Sequence, residues 1–183
     1  MTSWQKPSDT RSHGGEPIAS RPAGKERLLP QGVVATALHV TEQGMGAVHV
    51  TIDLENTVDA DNAADGLRTP GQIRRYSTRA LVDTGAVMLV LSEDVVEHLG
   101  LKRRGRTVVS FADDRKADWD VAGPVTVRVG NRQGIFECLV GPPTIEPLFG
   151  QILLERLDLI IDPLHQTLSV RPESPLLPML SVK

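Results

Sequence analysis

The 183-residue sequence predicts an all-β, barrel-like domain that carries two short helices. Many short segments alternate apolar and polar residues with the period of two that is typical of half-buried strands. Clusters of Gly, Pro, Asn and Asp separate these segments and supply the turns. Only two short stretches have helical spacing, and the strand–helix–strand rhythm of a parallel sheet is missing from the sequence. These observations favour one lobe built almost entirely of strands.

The composition divides the chain into three regions. Residues 1–44 are predicted to form a mostly disordered N-terminal tail, because the first thirty are rich in Ser, Pro, Gly, Arg and Glu and have almost no apolar periodicity. Regular alternation begins near Met45, which makes residues 45–171 the folded domain. The Pro-rich residues 172–183 are predicted to form an extended C-terminal tail.

The first half of the domain contains three predicted strands and a helix. In chain order we expect a strand at 48–54, a long polar loop at 56–71, and two further strands at 75–82 and 87–92. Ser92 then has the position of a helix N-cap, and Gly100 that of the residue after a helix end. The residues between them therefore predict a helix of about two turns.

The second half contains hairpins and a second short helix. The residues Asp113–Lys116 predict a polar turn, and Gly123-Pro124 is expected to interrupt the strand that follows it. An amphipathic helix is predicted at 151–157, with its three leucines turned inward. The remaining apolar segments predict strands at 107–112, 117–122, 125–129, 135–140, 159–161 and 167–170.

The tripeptide Asp83-Thr84-Gly85 lies between two apolar runs and predicts a tight loop. Gly85 permits either a backbone with positive φ or the close approach of another segment. The tripeptide is also ordinary turn chemistry, but a surface hairpin would have polar alternation on both sides. An acidic side chain at the mouth of an apolar loop is typical of catalytic carboxylates. The apolar flanks therefore favour a catalytic role for Asp83.

The order of these elements resembles that of the retropepsin-like aspartic proteases, in particular the bacterial single-domain members of the clan AA type. The likeness covers roughly Met45 to Val170, and its most specific parts are Leu81–Leu91 and Pro147–Pro163. In the second part, Leu148-Phe149-Gly150 stands at the apolar-apolar-Gly position of these proteins. The resemblance implies a retropepsin-like acid-protease barrel with one lobe per chain.

The resemblance also implies the roles of individual residues. Asp83 is implied to be the catalytic aspartate, Thr84 to brace the loop against its partner, and Gly85 to shape the loop. Arg106–Val121 is implied to be a flap that folds over substrate, although the flap turn of relatives commonly has a glycine and Asp113-Asp114-Arg115 has none. The residues implied to bind substrate are Ala86, Phe111, Ala112, Asp113, Trp119, Phe149 and Gly150.

Peptide hydrolysis of this type requires two carboxylates on either side of one water, and the chain contains a single Asp-Thr-Gly. The second carboxylate is therefore expected from a second copy of the chain in a two-fold homodimer. The predicted activity is that of an aspartic-type endopeptidase acting on a peptide or protein substrate. The alternative is a weakly active or inactive dimeric module that uses the same fold for binding or as a scaffold.

Composition argues against other functions. A net charge of -3 without a strong basic field disfavours nucleic acid or an anionic membrane as a partner. The N-terminus has no apolar signal region, and the single Cys138 is expected in the core of a protein in the reducing cytoplasm. The histidines are scattered, with His49 and His98 expected at the surface, so neither a metal nor another cofactor is expected. A serine-nucleophile motif Gly-x-Ser-x-Gly is also lacking.

Overall fold

The computed structural model describes residues 46–180, and in this range the fold is all-β with few short helices, as predicted. The predicted N-terminal tail, residues 1–44, lies outside the described residues. The strands are β1 (His49–Asn56), β2 (Arg75–Val82), β3 (Leu89–Ser92), β4 (Lys102–Ser110), β5 (Lys116–Val129), β6 (Arg132–Gly141), β7 (Leu148–Phe149), β8 (Leu159–Asp162) and β9 (Thr167–Val170). The helices are α1 (Thr57–Ala64), α2 (Glu93–Leu99) and α3 (Gln151–Arg156), with a 3-10 turn at Pro70–Gln72.

Seven strands form one sheet in the order β1-β2-β7-β3-β6-β5-β4. β5 also pairs with β1, which closes the first six of these strands into a barrel. β4 pairs only with β5 among the described strands and therefore forms an exposed edge. The separate hairpin β8–β9 follows α3.

β5 pairs with three strands along its 14 residues: β6 on one side, and β4 and β1 in turn on the other. Its first half pairs with β4 and its second half, from Val125, pairs with β1. The expectation that Gly123-Pro124 interrupts the strand is wrong, because β5 continues through this dipeptide with a shift in register between Ala122 and Val125. A proline is tolerated within a strand at such an irregularity, where the regular pattern of hydrogen bonds is already broken.

The core is formed by the inward faces of the barrel strands and by the two predicted helices, both of which are confirmed. Cys138 is fully buried, and burial raises the pKa of its thiol to about 12. The expectation that His49 lies at the surface is wrong, since only 8% of this residue is exposed. Glu146, from the segment between β6 and β7, covers it and contacts its Nε2 atom at 2.9 Å.

The predicted polar loop at 56–71 is also wrong in part, because it contains helix α1. The Asn56 side chain caps this helix by accepting the Asp59 backbone N–H at 3.0 Å. The buried Asp59 carboxylate binds the guanidinium groups of Arg74 at 2.7 Å and Arg68 at 2.5 Å. The hydrogen bond from Arg74 is the main reason why the pKa of Asp59 is lowered. A buried carboxylate with two partly exposed arginine partners holds this helix in place of an apolar stripe, so apolar periodicity could not reveal the helix.

A second carboxylate holds the segment after β9. Asp158 accepts hydrogen bonds from Arg171 Nε at 2.7 Å, from the Met179 N–H at 3.2 Å and from the Ser174 hydroxyl. Burial opposes ionisation of Asp158, but these donors outweigh it and lower its pKa to about 2.

The domain boundary at residue 171 stays a prediction. No helix within residues 46–180 is both long and apolar enough to cross a membrane.

We expect Asp59→Asn to lower the free energy of unfolding by about 2–4 kcal/mol near neutral pH, because it leaves two guanidinium groups without their buried anion. The pKa of Asp59 is lower in the folded state, so its stabilisation is complete above the unfolded-state value of about 4 and is lost as the pH falls through the folded value. The variant should therefore lack part of the acid-induced loss of stability seen in wild type.

Urea unfolding at several pH values between about 3 and 7 measures both effects. The control is Asp61→Asn on the exposed side of the same helix, which we expect to change stability by less than about 0.5 kcal/mol. Parallel pH profiles for wild type and Asp59→Asn would contradict the assignment.

Candidate active site

The loop after β2 is fixed by backbone hydrogen bonds to β7 and to the start of α3. β7 lies between β2 and β3 and pairs with both, so the chain that joins β2 to β3 must pass around its end. The Asp83 N–H donates to the Phe149 carbonyl at 3.1 Å. The Gln151 N–H donates to the Ala86 carbonyl at 2.8 Å. The loop therefore holds Asp83 by main-chain contacts, independently of neighbouring side chains.

Gly150 lies where the loop and the start of α3 come closest. A Cβ atom on this residue would lie 2.3 Å from the Met88 carbonyl oxygen and 2.7 Å from that of Ala86. Both distances are shorter than any normal contact, and both atoms belong to the backbone. Only a glycine permits this approach, which explains its place in the apolar-apolar-Gly motif.

The Asp83 carboxylate lies at the mouth of the loop and is half-buried. Its Oδ1 atom accepts a hydrogen bond from the backbone N–H of Gly85 at 2.8 Å. Among the described residues, no side chain donates a hydrogen bond to the carboxylate. Gly85 does not have positive φ, and a Cβ atom there would lie 3.1 Å from Asp83 Oδ1. The structure therefore shows neither positive φ nor the close approach of another segment at Gly85; the nearest atom is the Asp83 carboxylate oxygen of the same loop. Thr84 is exposed, which leaves it available to contact another chain.

The predicted flap is the hairpin of β4 and β5, with its tip at Phe111–Arg115. The Phe111 N–H donates to the Arg115 carbonyl at 2.9 Å and closes the tip. Asp114 adopts φ of 62° in the left-handed region, the conformation that a glycine would adopt most easily. Aspartate tolerates this region better than most residues. Asp114 therefore takes the left-handed position of the flap turn, where relatives commonly have a glycine.

Side chains support the flap from within. The Phe111 ring meets the Trp119 ring edge to face, with 5.7 Å between the centroids. Arg115 lies over the Phe111 ring and binds Asp113 at 2.5 Å. Ala112 is exposed at the tip. These contacts join residues of the flap tip to one another and to Trp119 on β5.

A charged cleft of about 220 Å³ lies beside Trp119 at the base of the flap. Arg103 spans it and binds both Glu93 and, at 2.8 Å, Asp120. Gly141 forms part of the wall, and a Cβ atom on it would lie 3.4 Å from the Trp119 ring. Trp119 therefore connects the flap to the segment that leads into β7.

The predicted site residues fall into two groups. Asp83, Gly85, Ala86, Phe149 and Gly150 are joined by the contacts around the loop, whereas Phe111, Ala112, Asp113 and Trp119 belong to the flap. The Phe149 side chain is fully buried, which assigns it to the core, while its carbonyl holds the loop. The substrate-binding roles of these residues stay predictions.

Sequence reasoning missed the His49–Glu146 contact, which lies directly behind the loop. His49 is the register partner of Leu81, and the Leu81 N–H donates to the carbonyl of Pro147, the residue after Glu146. This contact fastens β1 and β2 to the segment that delivers β7. The two residues are 97 positions apart, and no local pattern in the sequence relates them.

Residues 69–153 match the family model described as Aspartyl protease. The matched range contains the Asp83 loop, the flap and Gly150, which are the parts that the structure brings to the candidate site. A search of curated proteins gave no match. The family match supports an aspartyl protease family and, with it, a protease function in general.

We expect Gly150→Ala to lower the free energy of unfolding by about 3 kcal/mol or more, because the new methyl group collides with two backbone carbonyls that cannot move independently. Thermal and urea unfolding measure the loss. The control is Gly71→Ala, since a Cβ atom at Gly71 meets nothing within 4 Å. Equal stability of the two variants would contradict the close approach at Gly150.

We expect Asp114→Val to loosen the flap tip and Asp114→Gly to preserve its shape. A β-branched residue at positive φ is strained by about 1–2 kcal/mol, whereas glycine is not. Amide hydrogen exchange of the Phe111 N–H reports directly on closure of the tip, and it should be about tenfold faster in the valine variant than in the glycine variant. Equal exchange in both variants would mean that the conformation of Asp114 is not what closes the tip.

Proposed function

We propose that the chain is a retropepsin-like aspartic endopeptidase that hydrolyses peptide bonds as a homodimer. One observation carries the proposal. Asp83 lies on a loop whose backbone packs against Gly150, and both residues fall within the range that matches the aspartyl protease model. The sequence contains one Asp-Thr-Gly, so a single chain supplies half of the required pair of carboxylates. The exposed Thr84 and Gly85 leave this half accessible to a second copy.

Two Asp83 carboxylates would share one proton in the dimer. At a separation of about 3 Å and an effective dielectric constant of about 20, two ionised carboxylates repel by roughly 5 kcal/mol. The pair therefore retains one proton over an acidic to near-neutral range, as in the carboxylate pairs of other aspartic proteases. One member is then a base and the other an acid, which is the combination that hydrolysis requires.

The reaction follows from this arrangement. The ionised carboxylate takes a proton from a water molecule as the water oxygen attacks the peptide carbonyl carbon. The protonated carboxyl donates a hydrogen bond to the oxygen that becomes negative. The carboxyl group that took the proton from water then gives it to the leaving nitrogen as the carbon–nitrogen bond breaks and the negative oxygen re-forms a carbonyl. The products are a carboxylic acid and an amine, and the pair of carboxyl groups again holds one proton. Each step uses the two carboxylates and the water alone, and we expect no cofactor.

The proposed substrate is a peptide or a protein segment covered by the flap, with Phe111, Trp119 and the residues near Asp83 as candidate contacts. A flap turn without glycine favours the alternative of an inactive scaffold. Asp114 weakens this argument, because it takes the left-handed conformation and the turn closes without a glycine. We place the activity in the cytoplasm, because the single cysteine is free and buried, as is usual in a reducing compartment. We propose neither nucleic acid nor membrane as a partner.

We expect Asp83→Asn to abolish peptide hydrolysis, by about 1,000-fold or more, because an amide can neither accept the proton of water nor share one with its partner. The assay uses a mixed peptide library between about pH 4 and 7 with mass-spectrometric detection of the products. The control is Asp61→Asn, which removes an exposed carboxylate far along the chain and should leave turnover unchanged. Equal products from wild type and Asp83→Asn would contradict the assignment of Asp83.

Mixing the two proteins tests the origin of the second carboxylate. When wild type exchanges subunits with an equal amount of Asp83→Asn, about half of the wild-type chains pair with a variant chain and become inactive. The activity per wild-type chain should therefore fall to about half, and further with more variant. An activity that is unaffected by the variant would mean that each chain acts alone.

A further inference from the structure

His49 lies on the outward-facing row of β1 and is nevertheless buried. Burial alternates along this strand, with Val50 and Ile52 in the core and Thr51 exposed on the other face. His49 has the same parity as the exposed residue, so the strand alone would place it at the surface. Only 8% of it is exposed, because the segment between β6 and β7 covers it at Glu146. That segment therefore passes over the outer face of the sheet where β1 begins.

The imidazole of His49 has a single polar contact with the part of the chain that the structure describes. Its Nε2 atom lies 2.9 Å from Glu146 Oε1, and within residues 46–180 its buried Nδ1 atom has no hydrogen-bond partner. An ionised carboxylate can only accept a hydrogen bond, so Nε2 carries the hydrogen and donates it. The ring is thus a buried donor directed at one acceptor, and it loses its pairing when that acceptor is removed.

Glu146 begins the stretch of chain that supports the candidate active-site loop. The next residue, Pro147, accepts the Leu81 N–H at 2.8 Å, and Phe149 accepts the Asp83 N–H at 3.1 Å. Three successive contacts thus join this stretch to β1, to β2 and to the loop itself. Their order along the chain places the histidine at one end of the row and the candidate catalytic carboxylate at the other.

The strand in this stretch is too short to hold itself firmly. β7 has two residues and pairs with one or two residues of each neighbour, whereas strands usually have about three to ten residues. The turn before it, in which the Ile145 N–H donates to the Pro142 carbonyl at 3.0 Å, fixes the local shape but joins the stretch to neither β1 nor β2. The contact between His49 and Glu146 supplies the side-chain anchor to β1.

We propose that His49 is a positioning residue of the candidate active site, which acts through Glu146 on the carbonyl groups that hold the Asp83 loop. Its effect on the loop backbone is independent of any reaction, whereas its effect on turnover rests on the proposed function. Loosening the carbonyl groups displaces the carboxylate that activates the water molecule. A misplacement of about 1 Å can cost about 100-fold in rate, even when its origin lies far from the reacting atoms.

Amide hydrogen exchange of the Leu81 and Asp83 N–H groups measures the hold on the loop directly. His49→Phe keeps a buried ring and removes the donor. Glu146→Leu removes the acceptor at a side chain that is 53% exposed, so it tests the same contact without changing the core. Amides of the β5–β6 pair serve as the reference for global stability. In both variants we expect Leu81 and Asp83 to accelerate about tenfold more than the reference amides.

Two glutamine variants restore the contact with different atoms. His49→Gln keeps an N–H donor and Glu146→Gln keeps an oxygen acceptor, so exchange at both amides should stay within about threefold of wild type. The matched control is His98→Phe, which removes the ring nitrogen that contacts the Arg75 carbonyl at 3.3 Å. Arg75 begins β2, whereas the loop follows the end of this strand. We therefore expect the control to leave both amides unchanged.

Turnover of a peptide substrate tests the positioning role, at protein concentrations where the activity per chain is constant. In His49→Phe and Glu146→Leu we expect kcat to fall by about 10- to 100-fold, because the loop carries the reacting group. KM should change by less than about threefold, because the candidate substrate contacts on the flap are not altered. Both glutamine variants should retain kcat within about threefold of wild type.

The outcomes separate this inference from the proposed function. If Leu81 and Asp83 accelerate no more than the reference amides in both His49→Phe and Glu146→Leu, the positioning role is overturned, and the peptidase proposal stands. Faster local exchange with unchanged kcat would also overturn it, since the site would then tolerate the loss of the anchor. Wild type that cleaves no peptide would contradict the proposed function, and exchange alone would decide whether His49 holds the loop. Faster local exchange and lower kcat, both restored by glutamine, would support both proposals.

Discussion

The candidate site depends on one close approach, in which the start of α3 passes between backbone carbonyls of the Asp83 loop. The hypothetical Cβ distances of 2.3 and 2.7 Å at Gly150 show how little space is left. Because the contact is between main chains, the position of Asp83 does not depend on the side chains of neighbouring residues. The same approach brings α3, and through it Asp158, into a fixed relation with the loop. The Asp83 loop and the segment that Asp158 anchors are therefore attached to opposite ends of α3.

Two buried carboxylates hold the parts of the chain that the apolar core does not. Asp59 fixes α1 and Asp158 fixes the segment after β9, and hydrogen bonds from cationic or hydroxyl donors lower the pKa of each. Both groups therefore stay ionised in the mildly acidic range in which a carboxylate dyad shares a proton. With a pKa of about 2, Asp158 holds its segment until the pH falls well below that range. The anchors and the proposed chemistry are thus compatible at the same pH.

The sequence could predict what apolar periodicity and backbone constraints determine. The strand before Asp83, both amphipathic helices and the left-handed Gly100 at the end of α2 follow from local patterns. Helix α1 and the burial of His49 could not be predicted, because each depends on a charged partner that lies far away in the sequence, Arg74 or Glu146. The prediction of a strand break at Gly123-Pro124 was wrong for another reason, because a bulge accommodates the dipeptide within a continuous strand. Local sequence patterns were therefore sufficient to find the Asp83-Thr84-Gly85 loop, whereas helix α1 and the burial of His49 depend on long-range polar contacts.

The surface also shows which contacts the chain favours and which it resists. An exposed strand edge invites pairing with any other edge, and basic side chains along β4 oppose such pairing. Pairing at this edge would occupy the β4–β5 hairpin, so its basic residues favour the free hairpin that the proposed function requires. Residues 174–180 after β9 carry no charge and expose four apolar side chains, while Asp158 holds the segment at the surface. The charges on β4 therefore disfavour association through this edge, and the second copy that the proposed pair of carboxylates requires has to approach the Asp83 loop by another surface.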